Sequence, residues 1–121
     1  MMKKIETFQL EDFPSVGETV KDTDQYRLTD EKMEYLTVSM TELHAGQRTN
    51  GHVHDDKDEI YQFLAGVGRM QLGEDDDPDK LVVHVKRGMI VLVPVNIRHT
   101  LFNDGEGDLV CWCVFSGGRN H

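Results

Sequence analysis

Apolar and polar residues alternate along most of this chain with the period of β-strands. Residues 35–41 alternate apolar with small polar side chains, and residues 89–93 are mostly β-branched and apolar until Pro94 ends the run. Further strands are predicted at residues 59–64, 69–72, 81–85, 100–102 and 109–115. These roughly seven short strands, separated by turn residues, are typical of an all-β sandwich or barrel.

Two segments depart from this pattern. Residues 29–34 hint at one short helical turn, for which Thr29 or Asp30 offers a capping side chain. Residues 1–25 carry apolar side chains without a clear period, so two interpretations stay open. They form a loose edge strand and linker, or they form an arm that pairs with a second subunit, because an all-β domain has to cover its strand edges.

Length and charge narrow the classes of function. The 121 residues fit a single domain, residues 1–121, and 13 basic against 22 acidic residues give a formal charge of -9. Nucleic acids and anionic membrane surfaces bind basic faces, so this balance argues against both as partners. No apolar run reaches the length of a transmembrane helix, and no apolar run follows the first lysines, which argues against a signal peptide.

The two cysteines indicate a reducing compartment. Cys111 and Cys113 are one residue apart, so on a strand they share a face but are poorly placed for a mutual disulfide. A reduced, cytoplasmic protein is therefore expected.

Three histidines and one glutamate stand at spacings that favour a metal site. His52 and His54 project to the same side of extended backbone, and a polar turn after them lets Glu59 open the next strand beside them. A turn at Pro94 can swing His99 toward the same point. Imidazole and carboxylate suit Fe, Mn, Ni or Zn. We therefore predict one divalent transition metal per chain, bound by these four side chains.

The same residues belong to two longer patterns that resemble the two motifs of the cupin family. The matching positions are Gly46, His52, His54, Glu59, Gly66, Gly88, Pro94, His99 and Asn103. The one departure is Asn96, where the family has glycine. Asparagine tolerates positive φ better than most residues, so the departure weakens the match little.

The resemblance implies a small, single-domain, metal-binding cupin. Its fold would be a jelly-roll β-barrel over about residues 35–115, with the four ligands inside. Cupins of this size often form homodimers by exchanging N-terminal strands, which favours the arm interpretation of residues 1–25.

Five side chains are candidates for the pocket around the metal. Tyr61 and Phe63 share a strand face with Glu59 and are predicted to form an apolar wall, although plain core packing explains them equally well. In cupins one face of the last strand borders the metal cavity, and we expect it to be the face that carries Cys111 and Cys113. Arg48 is a candidate for gripping a substrate carboxylate or phosphate, and an exposed arginine without a role is the alternative.

Three functions compete for such a site. A dioxygenase acting on a small polar organic substrate is slightly favoured, because the sequence offers few acid or base residues and the predicted lining is aromatic and thiol-rich. A Lewis-acid isomerase or ring-opening enzyme acting on a sugar or uronate is the first alternative. A non-catalytic barrel that binds a small molecule is the second.

Overall fold

Nine strands dominate the computed structural model, which describes residues 5–117. The strands are β1 (Glu18–Asp22), β2 (Tyr26–Lys32), β3 (Leu36–Leu43), β4 (Glu59–Ala65), β5 (Val67–Leu72), β6 (Leu81–Lys86), β7 (Ile90–Val93), β8 (His99–Asn103) and β9 (Leu109–Ser116). Six of them form one sheet in the order β1-β2-β3-β9-β4-β7, and three form a second in the order β6-β5-β8. All pairings are antiparallel, which confirms the predicted jelly-roll class.

The inner faces of the two sheets share one apolar core. Phe63 and Leu109 of the larger sheet pack in the same buried cluster as Met70, Val85 and Leu101 of the smaller one. Along β9 every second residue from Leu109 to Phe115 is buried, so one face of this strand points into the barrel. That alternation confirms that the cysteine face of the last strand points inward.

The predicted helical turn at residues 29–34 is wrong. Most of this segment belongs to β2, which lies between β1 and β3 and pairs with both. Those pairings satisfy its backbone on two sides, and they override the local capping signal of Thr29. A short helical segment lies earlier instead, as a 3-10 turn at Leu10–Asp12 followed by α1 (Phe13–Val16). No helix among residues 5–117 is long and apolar enough to cross a membrane.

The N-terminal segment packs on the outer face of the larger sheet. Phe13 is fully buried, and its ring meets Trp112 edge-to-face with the centroids 4.7 Å apart. Residues 18–22 then pair with β2 of the same chain as an edge strand. Residues 1–4 of the proposed arm lie outside the described residues, and its exchange with a second subunit stays a prediction.

Candidate metal centre

Backbone hydrogen bonds hold the histidine-bearing loop against β8. His52 and His99 exchange two N–H···O bonds, 3.0 and 2.9 Å long, and the same loop between β3 and β4 makes a second isolated bridge to β8 at Arg48 and Phe102. The Asn96 N–H donates to the carbonyl of His54 at 2.6 Å. Glu59 is the first residue of β4, so it stands at the strand end that faces this loop. The loop and two strand ends therefore carry the four predicted ligands to one place.

The turn that delivers His99 depends on Asn96. Its φ is 65°, and among residues 5–117 it is the one non-glycine residue with a positive φ. This is the left-handed conformation that was predicted for the position where the motif has glycine. Asparagine adopts it more readily than residues with larger or branched side chains.

Three of the four predicted ligands form a tight, buried cluster. Glu59 Oε1 lies 3.1 Å from His54 Nε2 and 3.3 Å from His99 Nε2. The exposed fractions of His54, Glu59 and His99 are 9%, 4% and 3%. Two ligand atoms that are each about 2.1 Å from a metal lie about 3.0 Å apart when they occupy adjacent octahedral positions. These separations therefore fit ligands of a single ion.

His52 stands slightly apart from this cluster. Its ring centroid is 6.4 Å from that of His54 and 6.2 Å from that of His99, and it is not within the mutual 4.8 Å separation that joins the ligand atoms of the other three. The rings of His52 and His54 are almost parallel, with an interplanar angle of 2°, and the 6.4 Å between their centroids places them next to each other.

The orientation of His99 also suits a metal ligand. Its Nδ1 lies 3.1 Å from the carbonyl of Ile97, an arrangement that favours the tautomer with the proton on Nδ1. Its Nε2 is buried, makes no hydrogen bond among the described residues, and faces the cluster. Histidine ligands commonly bind a metal through one nitrogen while the other donates to a carbonyl in this way.

The protonation state of His54 also favours metal binding. Burial lowers its pKa below the ordinary 6.5, and the nearby Glu59 carboxylate opposes that shift only in part. A lowered pKa keeps the imidazole neutral near pH 7, and the neutral form is the one that binds metals. Geometry, burial and charge therefore fit a divalent transition metal held by imidazole and carboxylate groups.

A cavity opens beside this cluster between the inner faces of the strands. The space inside it that the centre of a water molecule can reach is about 40 Å³, which is room for a few water molecules or a compact small ligand. Its lining comes from both sheets and from the edge strand β1, and comprises Lys21, Tyr26, Leu28, Thr41, Thr49, His52, Glu59, Tyr61, His99, Leu101 and Cys113.

Two of the five predicted pocket residues line this cavity. Tyr61 packs its ring against His99 with the centroids 5.5 Å apart, and Cys113 lies on the neighbouring strand. Phe63 and Cys111 face inward too, but they are fully buried in the core behind the cavity. The two cysteines form no disulfide, and their Sγ atoms are 3.9 Å apart.

Arg48 does not line the cavity, contrary to the prediction. Its guanidinium lies over the ring of Phe102, 4.6 Å from the centroid, and 3.8 Å from the carboxylate of Asp75. The next residue, Thr49, is buried and lines the cavity instead. Successive side chains of extended backbone point to opposite faces, so a difference of one residue sends Arg48 outward.

Sequence reasoning missed six lining residues, which are Lys21, Tyr26, Leu28, Thr41, Thr49 and Leu101. Thr41 could have been found, because the predicted strand over residues 35–41 alternates and one of its faces has to point inward. Tyr26 and Thr49 lie where no strand was predicted, and Lys21 lies in the segment without a period. Their positions became visible only through the pairing of β1 with β2 and the placement of the histidine loop.

Comparison by sequence identifies one matching family. The model of the family described as Cupin domain matches residues 39–115, which include every predicted metal ligand. Among curated proteins, none matches the chain in sequence.

Solved structures with this fold were found at low identity. An uncharacterized conserved protein with a double-stranded beta-helix domain from Klebsiella pneumoniae is 17% identical, with a TM-score of 0.77 over 98% of this chain and 95% of that one. The capsular polysaccharide assembling protein CapF from Staphylococcus aureus is 20% identical, with a TM-score of 0.73 over 83% of this chain. The match spans only 30% of CapF.

An enzyme with manganese is also similar in fold. The oxalate decarboxylase of Bacillus subtilis, which has Mn(II) centers, is 16% identical, with a TM-score of 0.74 over 85% of this chain and 28% of the enzyme. At such identities the likeness of all three proteins shows a common fold, and their activities do not transfer with it.

Proposed function

This chain belongs to the cupin family, and on that premise we propose that it is a metal-dependent enzyme that oxidises a small organic molecule with dioxygen. His54, Glu59 and His99 would hold the ion, and His52 would complete the set from the more exposed side of the cavity. The Mn(II) centers of the similar oxalate decarboxylase support a metal of this class, with Fe, Mn, Ni and Zn as the candidates.

The composition of the cavity wall is the observation that favours oxidation over the other candidate reactions. Among the described lining residues the one carboxylate is Glu59, which faces two imidazoles. Aliphatic and aromatic side chains and the Cys113 thiol make up much of the remaining wall. When bound, a redox-active metal supplies the activation of dioxygen itself, so this chemistry does not require a further carboxylate or imidazole in the wall.

The protein's own residues would position the substrate and keep it from bulk water. Leu28 and Leu101 are buried apolar residues on opposite sheets, and both line the cavity. Tyr61 adds an aromatic surface next to His99. An apolar wall of this kind excludes water from a reactive centre, which limits side reactions.

Lewis-acid isomerisation or ring opening of a sugar or uronate is the second candidate. It requires an acid or base that is not a metal ligand. Tyr61 favours this candidate, because it lines the cavity beside His99. A third candidate is a barrel that binds a small molecule without reaction, and the same ligand cluster would then hold the metal as a structural element.

The experiment is a metal analysis followed by oxygen-uptake measurements. The protein is purified under nitrogen, reconstituted separately with Fe(II), Mn(II), Ni(II) and Zn(II), and assayed in an oxygen electrode with a panel of small organic acids, phenols and sugars. The proposal expects oxygen consumption with a redox-active metal that ceases in the zinc form. Turnover of a sugar or uronate by the zinc form without oxygen uptake would favour isomerisation, and no turnover with any metal would favour the binding barrel.

A further inference from the structure

The lining of the cavity includes one cation that the sequence pattern did not single out. Lys21 lies on the edge strand β1 and lines the cavity together with His52, Glu59 and His99. Arg48, the predicted anchor for an anionic group, lies on the outer surface against Phe102. An exposed lysine at the edge of the cavity is therefore the candidate for the role that sequence reasoning gave to arginine.

An irregularity in β1 directs Lys21 toward the mouth of the cavity. Thr19 pairs with Thr29, and Lys21 pairs with the next residue of β2, Leu28, so Val20 is an extra residue in β1. Val20 packs against the core, and the following residue, Lys21, is exposed and lines the mouth of the cavity on the same strand face as its partner Leu28. Regular alternation would send these two neighbours to opposite faces, whereas a bulge can turn a side chain toward a site.

The charges around the cavity favour an anionic ligand at Lys21. Among the described lining residues, the ammonium of Lys21 is the one lysine or arginine charge, and the carboxylate of Glu59 is turned toward His54 and His99. A bound divalent ion would add two positive charges. The protein as a whole carries a formal charge of -9. With the ion bound, this cavity would be a local positive site on an acidic molecule, and such sites attract anions.

The surroundings of Lys21 define the rest of the ligand. Its strand partner Leu28 and the nearby Tyr26 are buried residues that also line the cavity, and Leu101 contributes from the other sheet. We propose that Lys21 is a specificity-determining residue, a proposal that rests on the proposed function. The substrate is then a small monocarboxylate, whose carboxylate pairs with Lys21 and whose apolar body lies against these side chains. A lysine ammonium and a carboxylate form a charge-assisted hydrogen bond.

The test compares a carboxylate with its neutral amide, using isobutyrate and isobutyramide as probes of nearly equal shape. Binding is measured by calorimetry at pH 7.5 for the Co(II)-loaded protein and for the metal-free protein. Wild type, Lys21→Gln, Lys21→Arg and Lys32→Gln are compared. Lys32 is an exposed lysine at the far end of β2, so its replacement matches the change in net charge.

We expect wild-type protein to bind isobutyrate about tenfold more tightly than isobutyramide. This preference should disappear in Lys21→Gln, return at least in part in Lys21→Arg, and persist in Lys32→Gln, with equal Co(II) content in all four proteins. An unchanged preference in Lys21→Gln, or an equal loss in Lys32→Gln, would overturn the inference.

The metal measurements separate this inference from the proposed function. If Co(II) does not bind, but the metal-free protein keeps a preference for isobutyrate that depends on Lys21, the proposed metal-dependent activity is wrong and the role of Lys21 stands. If Co(II) binds fully and Lys21→Gln behaves as wild type, the role of Lys21 is wrong and the metal proposal stands.

Discussion

Replacing Glu59 by glutamine is the sharpest perturbation of the candidate metal centre. Glutamine keeps the size and shape of the side chain, so the change leaves no cavity and removes little besides the negative charge. The carboxylate is 4% exposed and lies within 3.3 Å of two imidazole nitrogens. Loss of metal binding in this variant would therefore report on the charge and on the ligand atom, and not on collapse of the barrel.

The expected magnitude follows from the number of ligands. Four-ligand sites in proteins bind zinc with roughly 10–16 kcal/mol, so an even share is about 3 kcal/mol per ligand. Since about 1.4 kcal/mol corresponds to a tenfold change, Glu59→Gln should weaken metal binding by about 100-fold. At a metal concentration about 100 times the wild-type Kd, stabilisation by the metal should fall from about 2.7 to about 0.4 kcal/mol.

The assay is thermal unfolding with and without metal, together with metal content measured after dialysis. For a chain of this size about 1 kcal/mol shifts the Tm by about 4 °C, so the metal-dependent shift should fall from about 10 °C to about 2 °C.

A matched control distinguishes the cluster from a general effect of charge. Glu106 is exposed in the turn between β8 and β9, and Glu106→Gln should keep the full metal-dependent shift in Tm. If Glu59→Gln retains metal content and the full shift as well, the cluster of His54, Glu59 and His99 does not bind the metal, and the reasoning from its geometry is refuted.

Three further predictions concern the scaffold and the histidines. Asn96→Gly should be nearly neutral, whereas Asn96→Ala should lower the free energy of unfolding by about 1 kcal/mol because of the positive φ, as measured by urea denaturation. Phe13→Ala should cost about 3–5 kcal/mol, whereas Val16→Ala, at a residue 54% exposed, should cost less than about 0.5 kcal/mol; equal effects would argue against the packing on Trp112. Burial lowers the pKa of His54 below 6.5, so the unfolded chain takes up a proton that the folded, metal-free protein does not, and the free energy of unfolding should fall as the pH drops below 6.5. His54→Gln should flatten this slope relative to wild type, and a slope identical to wild type would contradict the assignment.

The residues of the candidate site were largely predictable because their signals are local. The spacing of His52 and His54 predicts adjacent rings wherever the backbone between them is extended, and their ring centroids are 6.4 Å apart. The need for positive φ at Asn96 depends on one turn. The alternation of β9 likewise assigns Cys111 and Cys113 to one face from neighbouring residues alone.

Other predictions failed because distant contacts decided them. The capping signal at Thr29 was outweighed by the pairing of β2 with a strand on each side. Arg48 lies outside the cavity because its segment pairs with Phe102 of β8, about 50 residues later in the chain. In that pairing the side chain of Arg48 points outward and the side chain of Thr49 points inward.

The sequence by itself determined which groups can bind a metal and in what order along the chain they occur. The tertiary structure decided which other side chains face that centre. Lys21 lines the mouth of the cavity because of one extra residue in the pairing of β1 with β2. Arg48 lies outside the cavity because the side chain of the next residue, Thr49, faces inward. Spacing along the backbone is local, whereas strand register arises from pairing between distant segments, and a shift of one residue reverses the face that each side chain occupies.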